Sequence, residues 1–170
     1  MASAVRQNYH EDTEAAFNKH INMELYANYV FLSMSYHFDR DDVGLPGLSK
    51  FFKDYSDSEL KNAQKLMKYQ NQRGGRIVLQ AIPTPSQQEW GSGLDGLRTA
   101  LDLKKQVNKC LLELHEEASR KDDAHAVHFL DDNLLNEHVE TIKKFGDMVT
   151  QLRRAGEADL GLYLFDKELL

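Results

Sequence analysis

The chain has 170 residues, 41% hydrophobic and 28% charged, with a formal net charge of -6, which suits one soluble domain burying roughly 70% of its unfolded surface. The acidic balance argues against nucleic acid, no run of about 18 apolar residues is present to span a membrane, and three prolines with ten glycines are too few for a disordered or fibrous chain. The start, Met1 to His10, lacks the apolar stretch of a secretory signal, and the lone Cys110 cannot close an internal disulfide, so the expected setting is cytoplasmic.

Hydrophobic periodicity predicts helices over about 11–39, 46–74, 93–121 and 124–155, with a short one over about 160–168. In the first, Phe17, Ile21, Glu24, Asn28, Phe31, Ser35 and Phe38 step by fours and threes onto one face. The second opens at Pro46, acceptable in a first turn, and carries Leu48, Phe52, Tyr55, Glu59, Asn62, Leu66 and Tyr69 before Gly74-Gly75 ends it. The third aligns Leu97, Leu101, Lys104, Asn108, Leu111 and His115. The fourth aligns Val127, Asp131, Leu134, His138, Thr141, Phe145, Met148 and Leu152, and stops at Gly156.

Each long helix would run about 40 Å. Short turns join the first pair and the last pair, whereas roughly 18 residues, from Gly75 to Ser92, separate the second helix from the third. That stretch is long enough to travel the length of a bundle and make those two helices parallel. The expectation is one all-α domain over 1–170, a four-helix bundle with one long crossover and a short fifth helix.

Each apolar stripe is interrupted near its midpoint: by Glu24, by Glu59 with Asn62, by Lys104 and by His138. Isolated polar core residues are often satisfied one at a time by backbone or water. Four at matching depth point instead to one shared cluster, because a buried charge is costly unless it is paired or bound to metal. Glu and His at a bundle's midpoint suit a two-metal carboxylate centre, and Glu59-x-x-Asn62 has the spacing of its Glu-x-x-His element. The amide at position 62 and the cation at 104 favour the other outcome, an ion-pair network. An ammonium cannot ligate a metal and repels one, and Glu24 with Glu59 can be balanced by Lys104 and a protonated His138.

Six strings then carry a resemblance: Arg6-Gln-Asn-Tyr-His10, Asn22-Met-Glu-Leu-Tyr-Ala27, Phe38-Asp-Arg-Asp-Asp-Val43, Gln70-Asn-Gln-Arg-Gly-Gly-Arg-Ile77, Leu111-Leu-Glu-Leu-His115 and Tyr163-Leu-Phe-Asp-Lys167. Together, from about residue 5 to the end, the chain resembles a eukaryotic ferritin subunit of the heavy type. The resemblance implies a ferritin-like fold in a hollow shell of twenty-four subunits that stores iron as ferric mineral, with the short last helix at four-fold channels. It implies that the ferroxidase centre of catalytic subunits maps onto Glu24, Glu59, Asn62, Lys104 and His138, with Asn62 standing where those subunits have histidine, Lys104 where they have glutamate and His138 where they have glutamine. Phe31 replaces a neighbouring tyrosine, and Ser58 an acidic residue. It also implies that His128 and Asp131, with His115 nearby, face three-fold iron-entry channels. The mineral-nucleating face corresponds to Lys50, Lys53, Asp54, Asp57, Ser58 and Lys61, a mixed set that also suits a plain solvated helix face.

The leading expectation is a shell subunit with no intact catalytic set, assembling alone or with a catalytic ferritin subunit. The competing one is an active ferroxidase at a rearranged site of Glu24, Glu59 and His138, with Lys104 swung aside. A third is a helical interaction protein unrelated to iron.

Overall fold

The computed structural model describes residues 2–170. Its helices are α1 (Glu11–Phe38), α2 (Pro46–Gln72), α3 (Gly93–Arg120), α4 (Ala124–Leu130), α5 (Asn136–Ala155) and α6 (Asp159–Glu168), and a five-residue π turn, Asp131–Leu135, joins α4 to α5 in one continuous helix. No strand occurs among the described residues, and no helix there is long and apolar enough to cross a membrane.

Four long helical units form the bundle, and cross-helix bonds fix their directions. Asn28 and Ser35 of α1 meet Ser56 and Ser49 of α2, so the partner number falls as the α1 number rises. Lys19 of α1 reaches Glu113 of α3, Lys121 just past α3 reaches Asp12, and Tyr69 of α2 meets His125 of α4 while Asn62 meets Glu137 of α5. Each of these pairs is antiparallel. Thus α2 and α3 run parallel, as the long connection predicts. That crossover is tied to α1 by Asn18, which bonds Arg76 and Val78, and by Glu14, which accepts from the Arg76 backbone. Trp90 is buried at its far end and donates to Ser33.

Local chemistry fixes the ends. Ser92 and Asp95 form a reciprocal capping box at the start of α3. Asp123 caps α4 and pairs with Arg73, which fastens the end of α2 to the α3–α4 turn. Gly156, at φ +112°, takes a backbone conformation that other residues rarely adopt and ends α5. The start of α2 lacks a side-chain cap of its own. Asp166 of α6, 5% exposed, supplies it from the other end of the chain, accepting from Gly47 N at 3.0 Å and Leu48 N at 2.7 Å. Position 47 must be glycine for that approach, since a Cβ there would lie 1.8 Å from the Asp166 carbonyl oxygen.

The fourth stripe differs from its sequence expectation in one respect. Leu134, His138, Thr141, Phe145, Met148 and Leu152 are buried as expected, but upstream the buried positions are Leu130 and Ala126 rather than Asp131 and Val127. The π turn holds one residue more per turn than an α-helix, so the inward face moves back by one.

The apolar core falls into two compartments. One gathers Phe31, Phe38, Phe52, Leu97, Val107 and Phe145 among others, and the other gathers Phe17, Ile21, Leu66, Tyr69, Leu111 and Leu134. Between them the bundle has a polar waist.

Candidate functional site

Every residue predicted for the centre lies at that waist. Glu24, Glu59, Asn62, Lys104 and His138 are each 2% exposed or less. A sixth member, His20, is fully buried one turn before Glu24 on α1. His20 lies off the apolar stripe that its neighbour Ile21 occupies, so it does not stand out as an interruption of that face. Its i, i+4 spacing to Glu24 was the available signal.

Lys104 from α3 donates to Glu59 Oε1 in an ion pair closed off from solvent. It bonds Glu59 alone rather than spanning both carboxylates. Glu24 instead takes His20 Nε2 at 3.1 Å and has His138 Nε2 at 3.4 Å, both at Oε1. Asn62 turns away from the two glutamates, and its amide approaches Glu137 Oε1 at 3.4 Å, as does the Ser58 hydroxyl. Glu137 is thus a further member that the stripe did not contain, being only half-buried. Phe31 sits in the apolar compartment against Phe52 and Phe145, without a polar atom to offer the site.

Burial opposes charge throughout, and the outcome depends on partners. Glu24 is buried, yet its polar neighbours Glu59, His138 and His20 hold its pKa well below the usual carboxylate range. Burial, then the charge of Glu24, pushes Glu59 well above that range in spite of Lys104. Burial works against a charged His20, but Cys110 and Glu24 beside it raise its pKa to about 9. At His138 burial prevails and the pKa is lowered. A protonated His138, the second cation expected from sequence, is opposed by burial, and the imidazole in hydrogen-bond geometry to Glu24 is that of His20.

The donor set does not fit a two-iron centre. Such a site needs carboxylates and imidazoles free on both sides of two cations about 3.5–4 Å apart. Here one carboxylate is held by an ammonium, and the residue at the Glu-x-x-His position is an amide bonded elsewhere.

The channel residues form a separate, open group. His115 Nε2 lies 2.9 Å from Asp131 Oδ1, whereas His128 pairs with Asp132 at 3.0 Å rather than with Asp131. On the exposed face of α2, Lys50 pairs with Asp54 at 3.0 Å and Lys53 with Asp57 at 2.6 Å, so those carboxylates are already neutralised.

A bundle with one long crossover, a capping fifth helix and a Glu/His waist defines a ferritin-like protein. A family model described as a ferritin-like domain matches residues 14–155. A protein named ferritin from Pacifastacus leniusculus is 57% identical over 169 residues, covering 99% of this chain and 93% of its own length. Soma ferritin from Lymnaea stagnalis is 54% identical over 168 residues, covering 99% of this chain and 96% of its own. The chain belongs to the ferritin family, as an iron-storage subunit of the eukaryotic kind.

Proposed function

We propose that this subunit builds the ferritin shell and its stored iron volume while oxidising little or no Fe(II) itself. The single observation that carries this reading is the buried Lys104–Glu59 ion pair. A cation fixed among the expected ligands excludes a second metal ion by charge and by position. Asn62, engaged with Glu137, adds no ligand in compensation. Iron would then be oxidised by a catalytic ferritin subunit in a mixed shell, or slowly at the mineral surface.

Assembly into a twenty-four-subunit shell is part of the proposal. Its support is the large apolar side chains left on the outside: Tyr29 and Tyr36 on α1, Val78 and Leu79 on the crossover, and Leu160, Tyr163 and Leu164 on α6. Exposed apolar side chains in such number suit burial against other copies of the chain. Asp131 and His128 near the start of the α4–π–α5 helix, with His115 near the end of α3, would face the entry channels. A cytosolic setting suits the free thiol of Cys110.

The test is stopped-flow Fe(II) oxidation by a shell made of this subunit alone, beside a heavy-type shell and a mixed one. The proposal expects slow oxidation and mineral loading that the catalytic partner accelerates. Rapid oxidation by the pure shell would overturn it in favour of the rearranged centre at Glu24, Glu59 and His138. A monomer on size exclusion would overturn the shell assembly.

A further inference from the structure

Beside the Lys104–Glu59 pair, the waist holds a second donor set that the protein's own hydrogen bonds leave underused. One donor atom from each of His20, Glu24 and His138 lies within 4.8 Å of the other two. All three side chains are sealed from solvent, at 0–1% exposure. Both ring nitrogens of His138 lack a hydrogen-bond partner, and so does Nδ1 of His20. Of these, His138 Nε2 faces Glu24 Oε1 at 3.4 Å without a hydrogen bond to it, and Glu24 Oε2 is unpaired as well; buried polar atoms nearly always find partners, so the Glu24–His138 side of the cluster is short of a ligand.

The spacing matches a metal. A tetrahedral ion with bonds of about 2.0–2.1 Å keeps its ligands about 3.3–3.4 Å apart. The contacts of Glu24 Oε1 with His20 Nε2 and His138 Nε2, 3.1 and 3.4 Å, already stand near that value. The elements also favour the arrangement. His20 and Glu24 share one face of α1, one turn apart, and His138 is brought in by α5 three residues past the π turn, a feature often found at functional sites.

We propose that His20, Glu24 and His138 bind a single divalent transition-metal ion of the zinc(II), cobalt(II) or iron(II) class, with water completing the coordination. Two imidazoles and one carboxylate suit these borderline cations, whereas magnesium and calcium require oxygen ligands. Ligation requires both imidazoles in their neutral form, so affinity falls as pH is lowered. Only one ion fits, because the neighbouring position is taken by the Lys104 ammonium. The set differs from the Glu24, Glu59 and His138 trio expected from sequence in exchanging Glu59 for His20. Cys110, beside His20, also lines a groove between α1 and α3 with Lys19, Asn22 and Met23, which brings solvent to within one side chain of the site. The site lies inside one bundle and does not rest on the storage reading, so its failure would leave that reading untouched.

The experiment titrates the assembled, metal-stripped protein with cobalt(II) and reads its visible absorption. The proposal expects the intense bands of tetrahedral cobalt at one ion per subunit, abolished by an equivalent of zinc(II). Surface carboxylates give only weak octahedral bands. His20→Gln and His138→Gln should each lower the affinity about tenfold or more. Unchanged bands in His20→Gln, two tetrahedral ions per subunit, or none in the natural protein would each overturn it. Zinc anomalous diffraction from the natural protein decides the case even if a variant fails to fold. Density among His20, Glu24 and His138 supports the site, and density between Glu24 and Glu59 contradicts it.

Discussion

Two groupings of histidine with carboxylate occur in this bundle, one at the waist and one at the start of the α4–π–α5 helix. Their pair distances are alike: 3.1 Å for His20–Glu24 inside, and 2.9 Å for His115–Asp131 outside. Their surroundings are opposite. The inner side chains are at most 1% exposed, while those of His115, Asp131, His128 and Asp132 range from 28% to 73%. Inside, desolvation shifts pKa values strongly and makes every charge depend on a named partner. Outside, water does most of that work, and the same residue types remain free to meet passing cations. A lysine at position 104 persists only because Glu59 faces it.

The largest effect should come from breaking that inner pair. Glu59→Leu strands the buried ammonium of Lys104, and the expected loss is about 3–5 kcal/mol in denaturant unfolding. Combining Glu59→Leu with Lys104→Met should recover most of it, since replacing both charges by apolar groups is often neutral. Equal losses in the single and double variants would show that the waist is not organised around this pair.

An intermediate effect is expected where a buried carboxylate caps a helix without facing a cation. Asp166→Ala removes the acceptor for two backbone donors at the start of α2 and should cost about 1 kcal/mol. The outer grouping should respond least among these: Asp131→Asn should change stability by about 0.5 kcal/mol or less, in the same unfolding assay, because exposed pairs contribute little. A loss comparable to Glu59→Leu would erase the contrast between the two regions.

The acid limb supplies the smallest test. Asp95 bonds the Ser92 backbone and hydroxyl, which lowers its pKa below 3.8 in the folded chain. Such a group stabilises above its unfolded pKa and loses that contribution as pH falls below 3.8 through the folded value. Asp95→Asn should therefore flatten thermal stability slightly on the acid side of that point and leave the curve's shape above it unchanged.

Much of the bundle was legible because burial imposes periodicity on sequence. The stripes, the glycine stops and the long connection between the second and third helices translate directly into α1, α2, α3 and the crossover. The register of the fourth stripe was not legible, since a π turn leaves no residue-level mark and Asp131 and Leu130 both continue the pattern back from Leu134. At the waist, Glu24, Glu59, Asn62, Lys104 and His138 stood out as interruptions of apolar faces. His20 did not, standing next to Ile21, and Glu137 sits off the stripe altogether. Which carboxylate Lys104 would choose depends on side-chain reach, and the cap that Asp166 gives to α2 joins positions too far apart in sequence to be paired by pattern.

The central claim is that Lys104, with Asn62 and Ser58, keeps the waist from oxidising iron. It is tested most directly by comparing initial Fe(II) oxidation rates of the natural homomeric shell and a Ser58→Glu, Asn62→His, Lys104→Glu shell. The account predicts a gain of about tenfold or more for the triple variant, the usual scale for restoring metal-site residues. Rates that are equal and slow, with both shells assembled, would contradict it.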